Sequence, residues 1–237
     1  MKVLIIIPAY NEGKTILNTI NSIKKESLDT NGEYTLDYII INDCSTDNTL
    51  QVCIDNDLNV VDLPINLGIG GAVQTGYKYA YENNYDIAIQ IDADGQHDPK
   101  YISDLVKEIN NGNDMVIASR FIDKVGFQST FIRRLGINWY AFLIKFFTKV
   151  NIKDITSGYR AINSKIIKMF AFDYPYDYPE PETNALLAKG KFKIKEIPVQ
   201  MKERQAGKSS ITPFKSIHYA IKVSLAVIMA SIKKQKE

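Results

Sequence analysis

The stretch Ile87-Ala88-Ile89-Gln90-Ile91-Asp92-Ala93-Asp94-Gly95 decides the fold class, because it joins an apolar run to a pair of carboxylates. The apolar run predicts a buried strand, so Asp92 and Asp94 are expected where a central strand ends. The nearby donors, including the Gln96 amide and Asp98, are all oxygens, which suit Mg²⁺ or Mn²⁺ better than zinc. Alternatively, such acidic residues only cap the next helix, as Asp98 is expected to do before a proline.

Apolar, strand-like runs alternate with helical patterns around this stretch. The predicted strands are 3–7, 38–41, 60–63, 87–91 and 115–118, and the predicted helices between them are 13–25, 46–55, 69–82 and 99–111. Strands separated by helices of this length predict an α/β fold, with a mainly parallel sheet and helices on both faces. Ligands of such sheets bind at the carboxyl ends of the strands, where this chain has polar or glycine-bearing turns.

The composition is that of an ordinary globular protein. The chain has 237 residues, of which 45% are hydrophobic and 24% charged, enough for a single α/β domain with an appendage. Its first apolar run is too short for a signal peptide and is predicted to be a strand. Cys44 and Cys53 form no C-x-x-C pattern, and with only two histidines there is no zinc constellation. Both cysteines are expected to be packing residues in a reduced compartment.

Positive charge is concentrated near the C-terminus. Residues 189–237 carry 12 Lys or Arg against 3 acidic residues, whereas the net charge of the whole chain is only +2. Within them, 214–232 predicts a basic amphipathic helix with one apolar side, formed by Ile217, Ile221, Leu225, Ile228 and Ile232. Its polar side, with Lys215, His218 and Lys222, argues against a spanning helix. The helix is expected either to lie in a membrane interface or to pack on the domain.

Another helix is predicted over 133–147, and it starts with paired arginines. It is apolar around most of its circumference, so it is expected either in the core, the usual outcome, or on a lipid-facing surface. The segment Asp154-Ile155-Thr156-Ser157-Gly158-Tyr159-Arg160 follows. It is polar and contains glycine, which is typical of a functional site rather than a core crossing.

Six motifs combine into a pattern that is specific as a whole although each motif is weak alone. They are Pro8-Ala9-Tyr10-Asn11-Glu12, Asn42-Asp43-Cys44-Ser45-Thr46-Asp47, Asn66-Leu67-Gly68-x-Gly70, the run 92–99, the run 156–160 and Arg204-x-x-Gly207-Lys208-Ser209. In this order, over residues 1 to about 212, they resemble the family-two glycosyltransferases of the GT-A fold. Within that family the chain looks like the dolichyl- and undecaprenyl-phosphate sugar synthases.

Two departures from the family pattern stand out. The usual acidic pair after the second strand is here Asn42-Asp43, with Cys44 where the family usually has glycine. Recognition of the nucleobase of the nucleotide sugar is therefore expected to depend on Asp43. The C-terminal transmembrane helices of many relatives have no counterpart here.

The resemblance implies a GT-A type sheet that binds a nucleotide sugar. Asp92, Asp94 and Gln96 would hold Mg²⁺ or Mn²⁺ against the donor diphosphate. Arg204 and Lys208 would close over the diphosphate as a lid, unless they belong to a merely solvated loop. The implied nucleotide-sugar-binding residues are Pro8, Ala9, Tyr10, Glu12, Asp43, Asn66, Gly68, Asp92, Ala93, Arg204 and Lys208.

The implied acceptor site depends on arginines. Arg120 and Arg134, with Arg133 or Arg160 as further candidates, would hold an acceptor phosphate. A polyprenyl monophosphate is already anionic, so guanidinium groups are enough to position it, whereas a hydroxyl acceptor needs a general base.

Several other polar residues complete the predicted site. Asp154 and Ser157 would orient the sugar or the acceptor phosphate, and Glu182, in preference to Glu180, would lie near the sugar. His97 is expected to support the metal turn rather than bind the ion. The predicted catalytic residues are Asp94, Arg120, Arg134, Asp154, Ser157 and Glu182.

Together these features predict an inverting, metal-dependent glycosyltransferase. It would move a hexose or N-acetylhexosamine from a nucleotide sugar, with a UDP-sugar favoured over GDP-mannose, to polyprenyl phosphate. Residues 1–212 would form the catalytic domain, and residues 213–237 a basic amphipathic membrane-interface helix and tail. The protein is expected in the cytoplasm, peripheral on the inner face of the cell membrane. A small integral-membrane partner or homo-oligomerisation is expected, and no nucleic acid.

Three alternatives stay open at this stage. A transferase acting on a sugar hydroxyl in cell-wall or capsular polysaccharide assembly would need Asp154, Glu180 or Glu182 as its base. A sugar-nucleotide pyrophosphorylase is disfavoured, because no Gly-rich, Arg-bearing loop follows the first strand. A non-catalytic adaptor that only binds nucleotide sugars is disfavoured by the intact acidic motif.

Overall fold

The computed structural model describes residues 1–28, 32–123, 126, 131–202 and 213–232, without the side chains of 131–133 and 213–220. Its strands are β1 (Lys2–Ala9), β2 (Thr35–Asn42), β3 (Val60–Asp62), β4 (Ile87–Gln90), β5 (Met115–Ser119), β6 (Arg160–Asn163) and β7 (Ile194–Pro198). Its helices are α1 (Ile16–Leu28), α2 (Thr49–Asp55), α3 (Gly68–Glu82), α4 (Ile102–Asn110), α5 (Phe131–Thr148), α6 (Ser164–Phe172), α7 (Pro179–Lys189) and α8 (Pro213–Ile232).

The strands of the described residues form one sheet in the order β3-β2-β1-β4-β6-β5-β7. β6 runs antiparallel to both of its neighbours, whereas the other pairs are parallel. The predicted α/β fold with a mainly parallel sheet is confirmed, but the antiparallel strand β6 was not predicted. Chain order reverses at β1, which lies between β2 and β4, so a ligand crevice is expected at the carboxyl ends of these strands.

The side chains of β1 alternate between two layers of core. Leu4 and Ile6 face the layer formed with α3, α5, α6, α7 and α8. Val3, Ile5 and Ile7 face the layer formed with α1, α2 and α4. All five are fully buried, which explains why a strand covered on both faces reads as a continuous apolar run.

Two predicted helix starts can be compared with the structure. Asp98 caps the 3₁₀ turn Pro99–Tyr101 that leads into α4, and its carboxylate accepts a hydrogen bond from the Lys100 N–H at 3.3 Å, as predicted. α2 starts at Thr49, three residues later than predicted. The reason is local, because the Asp47 carboxylate accepts the Thr49 N–H at 2.9 Å and holds the preceding residues in a turn.

Both apolar helices of the C-terminal half divide into a buried and an exposed face. In α5, Ile137 and Ile144 are buried, while Trp139 and Phe146 are exposed, so the helix is both a core element and a surface element. α8 packs against α5 and α7 through the fully buried Val223.

Three residues of the apolar side predicted for α8 point outward in the structure, whereas Ile228 is half-buried and the side chain of Ile217 lies outside the described residues. Ile221, Leu225 and Ile232 are all more than half exposed. None of the helices in the described ranges is long and apolar enough to cross a membrane. The predicted domain boundary at residue 212 lies outside the described residues, so the division into 1–212 and 213–237 stays a prediction.

Candidate active site

A cleft of about 700 Å³ opens at the carboxyl ends of β1, β2 and β4. It brings together ten of the predicted site residues, namely Pro8, Ala9, Tyr10, Glu12, Asp43, Asn66, Gly68, Asp92, Ala93 and Asp94. The other residues that line it are Asn11, Ile69, Ala72, Gln90, Thr156, Gly158 and Glu180. The predicted donor residues of the first four strands therefore share one cavity.

Asn11 holds two loops of the cleft together. It adopts a left-handed backbone conformation with φ of 59°, which asparagine tolerates better than most residues. Its side-chain oxygen accepts the N–H groups of Thr46 at 2.8 Å and Asp47 at 3.2 Å. The loop after β1 is thereby fixed to the loop after β2.

Asp43 is buried at the end of β2 and is fixed by its neighbours. Its N–H donates to the Ala9 carbonyl at 2.9 Å, and its carboxylate accepts the Leu67 N–H at 2.7 Å. The Asn66 side-chain amide donates to the Asp43 carbonyl at 3.0 Å. The end of β1 and the loop between β3 and α3 therefore position this carboxylate in the cleft wall.

The structure explains one departure from the family pattern and shows the cost of the other. The Asn42 side-chain amide donates to the Asp62 carboxylate at 2.6 Å, so an aspartate at position 42 would set two carboxylates against each other. Cys44 has φ of 56°, a left-handed conformation that glycine adopts without strain. Cys44 therefore stands where the family has glycine, although glycine would suit this left-handed backbone better.

Hydrogen bonds and a ring contact hold the acidic turn after β4 in place. Asp94 is buried, and its carboxylate accepts the Gln96 N–H at 3.0 Å. The His97 ring accepts the Asp92 N–H at 3.0 Å and stacks on Tyr159 with 4.9 Å between ring centroids. His97 thus supports the turn, the role the sequence predicted for it.

Gln96 connects this turn to the segment that follows β7. Its side-chain amide donates to the Lys202 carbonyl at 3.3 Å, and its own carbonyl accepts the Lys202 N–H at 3.0 Å. Gln96 is not among the residues that line the cleft, so its role as a metal ligand stays a prediction. Arg204 and Lys208 lie outside the described residues, so their role as a lid stays a prediction.

The carboxylates of the acidic turn suit a divalent metal ion whose other ligands come from a substrate. In the described part of the chain, no group of three or more His, Cys, Asp and Glu side chains could hold a metal ion. Asp92 and Asp94 supply two carboxylates in the cleft. Mg²⁺ is commonly held by one or two carboxylates together with water and substrate phosphates. The two residues therefore suit a metal–diphosphate complex rather than an all-protein metal site.

Arg120 and Asp154 form a buried, two-pronged ion pair. The Nε and Nη2 atoms of Arg120 lie 2.8 and 2.7 Å from the two carboxylate oxygens of Asp154. Nη2 also donates to the Thr156 hydroxyl at 3.0 Å, and Thr156 lines the cleft. Neither Arg120 nor Asp154 lines the cleft itself. The two residues contact each other, and Arg120 also contacts Thr156 in the cleft wall, while their predicted contacts with substrate stay predictions.

Ser157 and Arg160 also lie beneath the cleft wall. The Ser157 hydroxyl donates to the Ala118 carbonyl at 2.7 Å. Its carbonyl accepts from the Arg160 guanidinium at 2.6 Å, and Arg160 also donates to the Thr183 hydroxyl at 2.8 Å. Arg160 and Ser157 are both buried and neither lines the cleft, so their predicted roles at the acceptor stay predictions.

Glu180 and Glu182 lie in different cavities. Glu180, in the first turn of α7, lines the cleft, whereas Glu182 lines a separate cavity with Leu186 and Met229. Burial raises the pKa of Glu180, and the positive charge of Arg160 opposes that shift. Glu180 therefore lies in the cleft and Glu182 does not, and the predicted role of Glu182 near the sugar stays a prediction.

Arg134 is the exposed member of the predicted acceptor arginines. Its guanidinium lies 5.8 Å from the centre of the Phe121 ring, and the Arg120 guanidinium lies 5.3 Å from the same ring. Arg134 therefore lies close to the buried pair, near the carboxyl end of β5. The side chain of Arg133 lies outside the described residues.

Sequence reasoning missed Gln90 and Thr156 as cleft residues. Gln90 interrupts an apolar strand directly before the acidic turn, and this polar interruption is a signal that could have identified it. Thr156 belongs to the motif 156–160, and no role was predicted for it individually. Its place in the wall depends on the contact with Arg120, a residue 36 positions away, which no local pattern reveals.

The fold and the cleft define a glycosyltransferase of the GT-A type, and sequence comparison agrees. The profile of the family described as Glycosyl transferase family 2 matches residues 4–170. The chain therefore belongs to the family-2 glycosyltransferases and is an enzyme of that class.

Similar proteins indicate which branch of this family the chain resembles. The undecaprenyl-phosphate mannosyltransferase of Micrococcus luteus is 28% identical and is aligned over 90% of this chain and 88% of its own length. The UDP-N-acetylglucosamine–dolichyl-phosphate N-acetylglucosaminyltransferase of Methanococcus voltae is 30% identical, over 84% of both chains. The relatives of this chain thus include polyprenyl-phosphate sugar synthases.

A solved structure supports the fold assignment. The glucosyl-3-phosphoglycerate synthase of Mycobacterium tuberculosis, in complex with Mn²⁺, UDP-glucose and phosphoglyceric acid, superimposes with a TM-score of 0.72. The likeness covers 97% of this chain and 79% of that one at 18% sequence identity. At this identity the comparison shows a shared fold.

The buried pair predicts a large effect on stability. Asp154→Ala leaves the Arg120 charge buried without its partner, and we expect the free energy of unfolding to fall by about 3–5 kcal/mol. Urea titration followed by circular dichroism measures the change. The double variant Arg120→Leu/Asp154→Leu should recover part of the loss, because it removes both charges. A loss below about 1 kcal/mol in Asp154→Ala would contradict the importance of the pair.

Proposed function

We propose that this enzyme transfers a hexose or N-acetylhexosamine from a nucleotide sugar to a polyprenyl phosphate at the cytoplasmic face of the membrane, with inversion at the anomeric carbon. The observation that carries the proposal is the convergence of Asp43, Asp92 and Asp94 in one cleft. The relatives named for transfer to undecaprenyl and dolichyl phosphate support the choice of acceptor.

The donor would occupy the cleft with its base near Asp43 and its diphosphate near Asp92 and Asp94. The buried Asp43 carboxylate can accept hydrogen bonds from the imide of uracil, or from guanine, and we favour a UDP-sugar. When bound, Mg²⁺ or Mn²⁺ would neutralise charge on the departing diphosphate. Asp92 and Asp94 would hold the ion. Arg204 and Lys208 would cover the diphosphate.

Glu180 and Gln90 would face the sugar. Both line the cleft with Asp92, and the raised pKa of Glu180 brings its carboxyl group closer to exchanging protons near neutral pH. A carboxylate in this position can accept hydrogen bonds from sugar hydroxyls and fix the orientation of the ring.

The positions of the carboxylates reduce the candidates for a general base to one. A hydroxyl acceptor requires such a base, and Asp154, Glu180 and Glu182 are the candidates. Asp154 is committed to Arg120, and Glu182 faces another cavity, which leaves Glu180. A polyprenyl phosphate needs no base. Its oxygen would attack the anomeric carbon opposite the departing diphosphate, with Arg134 positioning the phosphate.

Screening UDP- and GDP-sugars with a short-chain polyprenyl phosphate tests the proposal. Arg134→Ala should lower kcat/KM for this acceptor by about 10–150-fold, because a charged hydrogen bond is lost, with little change in donor affinity. Lys145→Ala, an exposed cation further along α5, is the matched control and should behave as wild type. Transfer to a sugar hydroxyl but never to the phosphate would replace the proposal with the polysaccharide-assembly alternative.

Asp94→Asn tests the metal assignment. The change keeps the shape of the side chain but removes its charge, so transfer should fall by about 100-fold or more while the circular dichroism spectrum is retained. EDTA should abolish wild-type transfer, and Mg²⁺ or Mn²⁺ should restore it. Asp98→Asn makes the same charge change in the same loop outside the cleft and should leave most activity. Unchanged turnover of Asp94→Asn in EDTA would refute the assignment.

Substitution of the two glutamates of α7 separates their roles. Glu180→Gln should lower kcat/KM for the donor by about 10-fold or more, because a charged hydrogen bond to the sugar becomes a neutral one. Glu182→Gln should stay near the wild-type value, since its side chain faces the other cavity. Steady-state kinetics at saturating acceptor measure both. A larger loss in Glu182→Gln than in Glu180→Gln would restore the original preference.

A further inference from the structure

The exposed side of α5 is a continuous row of large apolar side chains. The row consists of Leu135, Trp139, Phe142 and Phe146, each between 51% and 59% exposed. Their spacing of four, three and four residues places them on one face of the helix. Neighbouring rings are in contact, with 5.8 Å between the centroids of Trp139 and Phe142 and 6.1 Å between those of Phe142 and Phe146.

α8 carries a second row of the same kind. It consists of Ile221, Leu225, Met229 and Ile232, each between 56% and 66% exposed. The opposite side of the helix holds Val223 and Val227, which are fully buried in the core. α8 is therefore anchored by one face and presents an apolar row on the other.

The two rows lie side by side. α5 and α8 pack against each other, and the Trp139 indole N–H donates to the Ser224 hydroxyl at 3.0 Å. Ser224 directly precedes Leu225 of the second row. We call the eight residues of both rows the outer α5–α8 face. A contiguous apolar surface of this size is typical of an interaction site rather than of a solvated surface.

Along the two helices the charges are positive, whereas two carboxylates adjoin one end of the face. The 18 residues of α5 and the 20 residues of α8 include no Asp or Glu. Lys145, Lys149 and Lys222 are exposed on or next to the two helices, and the Lys149 ammonium lies 5.7 Å from the centre of the Phe146 ring. Carboxylates enter near the end of α8, where Asp173 and Glu182 line a cavity with Met229.

An anionic lipid surface matches both properties of the face. Apolar and aromatic side chains can enter the boundary between headgroups and acyl chains, while lysines remain among negatively charged headgroups. A second copy of this chain is a poorer occupant, because a two-fold contact would bring the same basic side chains towards each other.

We propose that the outer α5–α8 face docks onto an anionic membrane surface and presents Arg134, at the start of α5, to phosphate groups at the level of the headgroups. The two apolar rows and the lysines beside them support the proposed docking. The presentation of Arg134 to an acceptor phosphate rests on the proposed function.

The fluorescence of Trp139 reports this docking directly, because it is the only tryptophan in the chain and is half exposed. Adding vesicles of phosphatidylcholine with phosphatidylglycerol should shift its emission to shorter wavelength, and doxyl-labelled lipids should quench it. Pure phosphatidylcholine vesicles should have a much smaller effect. Raising NaCl from about 0.05 M to about 0.5 M should weaken binding, because the attraction to the surface is screened.

Matched variants separate the apolar from the electrostatic contribution. Phe142→Ser/Leu225→Ser should weaken vesicle binding by about 10-fold or more, because two apolar side chains no longer leave water. Ile54→Ser, an equally exposed apolar residue on α2, is the control and should have no effect. Lys145→Glu/Lys222→Glu should weaken binding by about 30-fold or more, and Lys78→Glu on α3 should not.

Vesicle flotation and transfer assays keep the two proposals distinct. Flotation of the wild type that the Phe142/Leu225 variant loses supports docking, whether or not sugar is transferred. A protein that stays with the soluble fraction, yet transfers sugar to a short-chain polyprenyl phosphate, would refute the docking proposal and leave the proposed function intact. A blue shift that appears without lipid as protein concentration rises, with dimers in sedimentation velocity, would assign the face to self-association and refute membrane docking.

Discussion

The antiparallel insertion of β6 between β4 and β5 is the constraint on which the site depends. Arg160 at the start of β6 pairs with Gln90 on one side and with Ile117 on the other. The preceding loop must therefore cross the carboxyl edge of the sheet beside the acidic turn. Gly158 permits this crossing, because a Cβ atom there would lie 2.9 Å from the Gln90 amide and 3.3 Å from the Asp92 carboxylate.

In this arrangement the charged side chains have different positions and different roles. Arg120 and Asp154 neutralise each other in the interior, where an unpaired charge would be costly. Arg160 supports the wall and moderates the pKa of Glu180. Asp92 and Asp94 remain in the cleft, where a cation and a diphosphate would complete the balance of charge. The cleft thus concentrates negative charge at the proposed metal position.

α5 links the chemistry to the proposed membrane surface. Its inner side contributes Ile137 and Ile144 to the core, its first turns carry Arg134 beside Phe121, and its outer side forms half of the outer α5–α8 face. A lipid acceptor must keep its tail in the bilayer while its phosphate reacts. One rigid helix that extends from the proposed phosphate position to the proposed membrane surface would meet that requirement.

The alternation of apolar strand runs with helix-length segments was enough to predict the α/β class, and the polar turns at the strand ends were enough to predict ten residues of the cleft. Both are local patterns, so they can be read without knowing distant contacts. The roles of Asp154, Glu180 and Glu182 were not accessible in this way. Two helical residues that are two positions apart point about 200° away from each other, and only the packing of α7 decides which of them faces the cleft. The pairing of Arg120 with Asp154 joins residues 34 positions apart, so only the tertiary structure decided that these two side chains form a buried ion pair.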